Sequence, residues 1–291
     1  YGDHRDLHYP LRRQRQMCIR DRSMGWLVNA AYAIGYNASN SGSVGSAFTV
    51  GDIMMIALDM DNSKNLLAHE GDGQQLIENF PLSFFSHAEA IFHLKEAGIE
   101  LKKTRVADWL GSSRANVSQV IGRMQNSGLV DFGEDLELTQ AGLCLAKIIA
   151  RRHRITERFL SEVLNLPWED VYKESSRWEN ILSPTTEKAM LEILGNPTTG
   201  PFGNPIPYSN YKEKEMMRIL DVDPQNTYSI EKITEELKRD SATISFLQNH
   251  NMVPGSKVTV ADSGDFSITI SVNKNDYFGI DRFIAKRVYV A

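Results

Sequence analysis

Apolar positions begin to recur at helical spacing only beyond about residue 80. From Ser83 to Ala97, the residues Phe84, Ala88, Ile91, Phe92 and Leu94 repeat as on one side of a helix, and Gly98 is placed to end it. A shorter helix over Thr104–Leu110 stops at Gly111. Ser112 or Ser113 caps a third, which puts Val117, Val120, Ile121 and Met124 on one face and ends near Gly128. Leu129–Phe132 and Leu136–Leu138 flank a turn at Gly133–Asp135 and predict a two-stranded hairpin. Gln140–Leu164 reads as one long amphipathic helix, followed by Trp168–Ser175 and Pro184–Leu194.

The texture changes after Pro197. The segment Pro201–Pro207 (PFGNPIP) is too rich in Pro and Gly for regular structure and marks a boundary. Beyond it, short apolar runs alternate with turns: Thr227–Ile233, Lys257–Ala261, Phe266–Val272 and Phe283–Val290, with a helical piece at Ile244–His250 before Pro254-Gly255. This pattern predicts a small β domain of the SH3-like barrel type. At the other end, residues 1–23 are Arg-rich and aperiodic, and LRRQRQMCIRDR resembles translated adapter sequence more than protein, which makes Met24 the nearer natural start. Asn37–Ser46 has linker composition, and residues 1–80 as a whole are expected to be an uncertain or disordered extension.

Helix, Gly-containing turn, helix and hairpin in succession form the winged helix-turn-helix plan. The expected fold is therefore mainly α with a small β part. It comprises a winged-helix domain over 81–142, a helical domain over 143–207, a linker over 208–226 and an SH3-like domain over 227–291. The second helix of the pair presents Ser113, Arg114, Asn116, Ser118, Gln119 and Arg123 outward. Asn and Gln can bond adenine edges, Arg can read guanine or grip phosphate, and a helix N-terminus favours phosphate. Lys102, Lys103 and Arg105 open the preceding helix, where they would lie over a DNA backbone.

Charge and composition narrow the classes. The chain is 42% hydrophobic and 24% charged, ordinary for a soluble globular protein. Its net charge of −5 confines any DNA contact to a local patch, and residues 95–158 hold eleven Lys and Arg against eight acids. Cys18 and Cys144 make neither a disulfide framework nor a CxxC pair, which fits a reducing cytoplasm. The longest apolar run, Gly25–Tyr36, is short of the roughly 20 residues of a membrane span. No GxSxG, P-loop or GxGxxG-helix signature supports an enzyme.

Five strings carry a family resemblance: NVSQVIGRMQNSGLV (116–130), LTQAG (138–142), RRHRITERFL (151–160), RWEN (177–180) and NPTTGPFGNPIP (196–207). In this order they resemble the iron-dependent, diphtheria toxin repressor-like regulators, whose third domain, of FeoA type, the C-terminal β segment also resembles. The resemblance implies a homodimeric, cytoplasmic repressor of metal-ion homeostasis. Such a dimer binds a palindromic operator in double-stranded DNA under the control of Fe²⁺ or Mn²⁺. Dimer contacts would come from the long helix around Leu143–Ile149 and from the helices after it. An iron-transport accessory built on the SH3-like part alone would not need the recognition helix.

The resemblance also implies metal ligands. His153 and Glu157, four apart on one helix face, match two ligands of the family's ancillary site, but Tyr172 stands where its next histidine would be. At the iron-type primary site, Ser86 replaces a methionine, Ser176 a cysteine and Asn180 a histidine, while Glu179 is kept. Against manganese-type relatives, Glu89, His153 and Glu179 match. The surviving set, Glu89, His153, Glu157 and Glu179, is hard and oxygen-rich, suited to Mn²⁺ or Fe²⁺. Alternatively it is a salt-bridge network with Arg154 and Arg177 in a metal-independent regulator of the same fold. A further carboxylate is expected from the segment Glu235–Asp240, without a particular residue being singled out.

Overall fold

The computed structural model describes residues 80–132, 136–274 and 277–291, so the readings made for the first 79 residues and for the hairpin turn lie outside the described residues. Three helices come first: α1 (Leu82–Glu96), α2 (Lys103–Leu110) and α3 (Arg114–Asn126). Gly111 ends α2 in the left-handed conformation (φ 59°), which a residue without Cβ adopts at little cost and which lets the chain turn sharply into α3. Ser113 caps α3, its hydroxyl accepting from the Asn116 N–H at 3.1 Å. Strands β1 (Val130–Phe132) and β2 (Leu136–Leu138) pair antiparallel with Val130 opposite Leu138.

The hairpin leads into α4 (Gln140–Glu162). Thr139 caps it, accepting from Gly142 N–H and donating to the Gly128 carbonyl at 2.6 Å. A Cβ at position 142 would lie 1.9 Å from the Leu129 carbonyl oxygen, so only glycine lets the first turn of α4 press against the approach to β1. Ile91, Val106, Val117, Ile121, Met124, Leu136, Leu145 and Ile149 are fully buried in one core shared by α1 to α4 and the hairpin.

α5 (Trp168–Trp178) and α6 (Pro184–Ile193) follow; α5 runs three residues past its expected end at Ser175. The Pro/Gly segment then acts as a strap as well as a boundary. Phe202 is buried among the β-half residues and meets Trp168 edge-on at 4.5 Å. Its carbonyl accepts from Ile233 N–H, and Asn204 Nδ2 donates to the Ile233 carbonyl. Gly203, at φ 81°, lies so close to the Glu231 carbonyl that a Cβ would come within 1.9 Å of it.

The β half is one six-stranded antiparallel sheet in the order β3-β8-β4-β5-β6-β7. Its strands are β3 (Met217–Arg218), β4 (Thr227–Ile233), β5 (Lys257–Ser263), β6 (Ser267–Val272), β7 (Tyr277–Asp281) and β8 (Val288–Val290). Register shifts in β4 and β5 are the bulges that bend such sheets. Short helices α7 (Glu235–Lys238) and α8 (Ser241–Asn249) connect β4 to β5, and α9 (Arg282–Ala285) lies before β8.

Two expectations need correction. The run Phe283–Val290 is not one strand: Asp281 caps α9 by accepting from Ile284 N–H at 2.7 Å, and pairing resumes only at Val288. The linker over 208–226 is shorter, because β3 pairs with β8 and Ile219 and Val222 are buried in the β core. Among the described residues, no helix is long and apolar enough to cross a membrane.

Candidate metal centre and nucleic-acid interface

α3 has two unlike faces. Val117, Val120, Ile121 and Met124 are buried, while Ser113, Arg114, Asn116, Ser118, Gln119 and Arg123 are all exposed. Burial of the apolar face fixes the rotation of the helix, so its polar N-terminal half is presented to solvent. Asn116 Nδ2 donates to Ser112 Oγ at 2.9 Å, and the Arg123 guanidinium lies 5.2 Å from the centre of the Phe84 ring. Lys102 and Arg105 are exposed and Lys103 is half-buried at the start of α2; Lys102 pairs with Glu100 at 2.7 Å.

The four residues expected as metal ligands fall into two groups that share His153. Glu89 of α1, His153 of α4 and Glu179 at the end of α5 bring one ligand atom each within 4.8 Å of one another. His153, Glu157 and Glu235 do the same on the other side. The imidazole divides them: Nδ1 lies 2.5 Å from Glu179 Oε2 and 3.9 Å from Glu89, while Nε2 lies 3.2 Å from Glu157 Oε1. Helical spacing puts Glu157 one turn after His153, and the extension of α5 past Ser175 carries Glu179 to the ring.

All of these groups are withdrawn from water, and their proton affinities reflect it. Burial and the neighbouring Glu89 push Glu179 up to about 7, against the pull of His153. For Glu89, burial is outweighed by the His93 hydrogen bond and by His153, leaving its pKa below the ordinary value. His153 stands well above its ordinary value because Glu157 and Glu179 overcome the cost of burial. Glu235 is held well below the carboxylate range, since Lys238, His93 and Arg154 overcome burial.

The residues expected to depart from the family pattern are occupied within their own helices. Ser86 Oγ reaches the Ser83 carbonyl, Ser176 Oγ donates to the Tyr172 carbonyl at 3.1 Å, and Asn180 Nδ2 to the Ser176 carbonyl at 3.0 Å. The Tyr172 ring packs edge-on to His153 at 5.2 Å. Burial keeps its phenol neutral by raising its pKa well above the ordinary value, so it walls the site. Sequence reading left Glu235 and Lys238 unassigned. Both are buried, and only the return of the chain after β4 brings them beside α4. Arg177, offered as a partner for the cluster, pairs instead with Glu174, whereas Arg154 bridges Glu96 and Glu235.

Comparison with known proteins decides the family. Residues 139–208 match the model described as iron dependent repressor, metal binding and dimerisation domain, and residues 217–291 match the FeoA domain. The iron-dependent repressor IdeR of Mycobacterium tuberculosis is 32% identical over 217 residues, spanning 70% of this chain and 94% of that protein. The chain belongs to the iron-dependent repressor family. Another relative in this family, the diphtheria toxin repressor of Corynebacterium diphtheriae, is 30% identical over 206 residues, covering 67% of this chain and 91% of that one. A solved manganese-dependent transcriptional repressor in complex with manganese shares the fold at TM-score 0.66 and 20% identity, over 72% of this chain and 99% of that chain.

The donor set of the first cluster fits a divalent ion of this family's kind. It offers one imidazole nitrogen and two carboxylates brought together by three different helices, with His153 and Glu179 buried and Glu89 half-buried. Among the described residues, these two carboxylates pair with the imidazoles of His93 and His153.

Within the stretch Leu143–Ile149, Leu143, Lys147 and Ile148 are half-buried and the other residues are buried. The large hydrophobic side chains exposed in this helical part are Val163, Leu164, Ile181 (80%) and Ile193 (64%).

Proposed function

We propose that this protein is a metal-gated transcriptional repressor that binds a palindromic operator in double-stranded DNA as a homodimer. Residues 81–142 form its DNA-binding domain, 143–207 its dimerisation and metal-binding domain, and 217–291 its SH3-like domain. The observation that carries this reading is the exposed polar N-terminal half of α3, held by a buried apolar face, in a chain related along nearly the whole length of known iron-dependent repressors.

In this reading Gln119 and Asn116 bond base edges, Ser113 and Arg114 meet phosphate at the helix N-terminus, and Lys102, Lys103 and Arg105 hold the flanking backbone. Glu89, His153 Nδ1 and Glu179 hold Mn²⁺ or Fe²⁺. The ion would supply positive charge that draws α1, α4 and α5 together, and α1 packs directly against α2 and α3. The side chains prepare that site: the Tyr172 ring excludes water from one flank, and Glu157 accepts from His153 Nε2–H, turning Nδ1 toward the two carboxylates. A second copy would cover Ile181 and Ile193. The reaction to metal is tested by binding of duplex DNA with Mn²⁺ and with chelator, in the natural chain and in Glu179→Gln. Metal-enhanced binding that Glu179→Gln abolishes supports the reading, and equal binding in all four conditions refutes it.

A further inference from the structure

The second cluster already contains a cation. Lys238, on α7 of the β half, is fully buried, with a side-chain exposure of 0%. Its Nζ lies 2.6 Å from Glu157 Oε1 and pairs as closely with Glu235 Oε2. The ammonium also faces the Phe202 ring at 4.8 Å and the Tyr172 ring at 5.8 Å, so two carboxylates and two π faces surround it. The other oxygen of Glu235 accepts from Arg154 Nε at 3.1 Å.

We propose that Lys238 is a built-in cation occupying the Glu157–Glu235 cluster in place of a metal ion, so that the chain takes one ion, not two. Three observations carry this. A metal bound to a carboxylate oxygen sits about 2.0–2.2 Å from it. Lys238 Nζ already lies 2.6 Å from the same Glu157 oxygen. Two cations on one oxygen in a dry interior repel each other strongly, and an ammonium has no lone pair with which to become a ligand.

Both carboxylates also have cationic partners of their own. Lys238 pairs with Glu157 and Glu235, and Arg154, which it shares with Glu96, pairs with Glu235. In the first cluster, by contrast, Glu89 and Glu179 face imidazoles, whose nitrogens can themselves be ligands. The consequence for the architecture is direct. Lys238 belongs to the β half and Glu157 to α4, so this pair docks the FeoA-type part on the helical part whether or not metal is present. The lysine also fixes which way His153 serves: Glu157, already bonded to Lys238, receives Nε2–H, and Nδ1 is the nitrogen left for the first cluster.

This inference rests on the metal reading above only for where the single ion sits. The test is a metal count on the full chain, stripped with chelator, dialysed against saturating Mn²⁺ and measured by mass spectrometry, together with thermal midpoints with and without Mn²⁺. The natural chain is expected to hold one ion, Lys238→Arg one, and Lys238→Gln two. Lys238→Gln should also be destabilised without metal and gain more from Mn²⁺ than the natural chain does. Should Lys238→Gln be unfolded without metal, folding on addition of Mn²⁺ is the expected signature, and no folding with Mn²⁺ counts against the proposal. Two ions in the natural chain, or no gain in Lys238→Gln, overturn it. A natural chain with no ion and a Lys238→Gln chain with one would sink the first-cluster reading while leaving the lysine's role intact.

Discussion

His153 has two ring nitrogens, and each faces a different set of charges: Nδ1 the pair Glu89 and Glu179, Nε2 the carboxylate of Glu157, which is itself bonded to Lys238. If Glu157 acts by orienting the ring, Glu157→Gln should weaken Mn²⁺ binding by about 10–100-fold, the range for outer partners of ligating histidines. Titration with a fluorescent competitor reads this, and unchanged affinity would remove Glu157 from the account. On α3, Gln119→Ala should cost about 1–3 kcal/mol against the preferred site and relax preference at one base position. A uniform loss across all sequences, read by competition with mutated duplexes, would reassign Gln119 to the DNA backbone.

Among the elements, the joint between hairpin and α4 is the tightest. Gly142 leaves no room for a Cβ against the Leu129 carbonyl. Gly142→Ala must therefore shift the hairpin or the helix, at a cost of about 1–3 kcal/mol or more. A lowered thermal midpoint together with weaker DNA binding is expected; a midpoint equal to the natural one would show that the joint gives way freely. The helices from α1 to α6 and strand β4 were legible because each carries several apolar residues at one period, and α3, α4 and α6 also begin at a capping Ser or Thr. Those missed were short. β3 has two residues, α7 and α9 are single turns, and β7 is a five-residue strand whose last residue, Asp281, caps α9. The candidate metal centre was legible only in part. His153 and Glu157 share one helix face, but Lys238 is 81 residues from its partner Glu157, and only packing of the β half on α4 brings them together. The split into two clusters depends on which ring nitrogen each carboxylate meets, and no sequence period encodes that.

For the whole molecule, buried charge ties the parts together. Arg154 of α4 reaches Glu96 at the end of α1, Glu235 of α7 and the Pro205 carbonyl of the strap. Although burial opposes it, the Arg154 guanidinium and His93 hold Glu96 down to about 2. A carboxyl depressed in the folded state favours folding above its unfolded value near 4.5, and that advantage is lost as pH falls from there toward 2. Glu96 keeps a third of its side chain in solvent, so its share is smaller than that of a fully buried pair. Glu96→Gln should therefore lower the midpoint at pH 7 and flatten its fall between pH 5 and 2 (a range of about three units around these values). An unchanged acid profile would show that Arg154 is held by its other partners alone.

In the proposed function, an ion bound at Glu89, His153 and Glu179 controls how α3 engages DNA. The most direct measurement is selection of duplexes from a random pool by the full chain, followed by affinity for the selected sequence with Mn²⁺ and with chelator. Convergence on an inverted repeat is expected, bound about 5–150-fold more tightly with the ion, the usual range of coupling between two sites. A pool that never converges, or one affinity in both conditions, would contradict it.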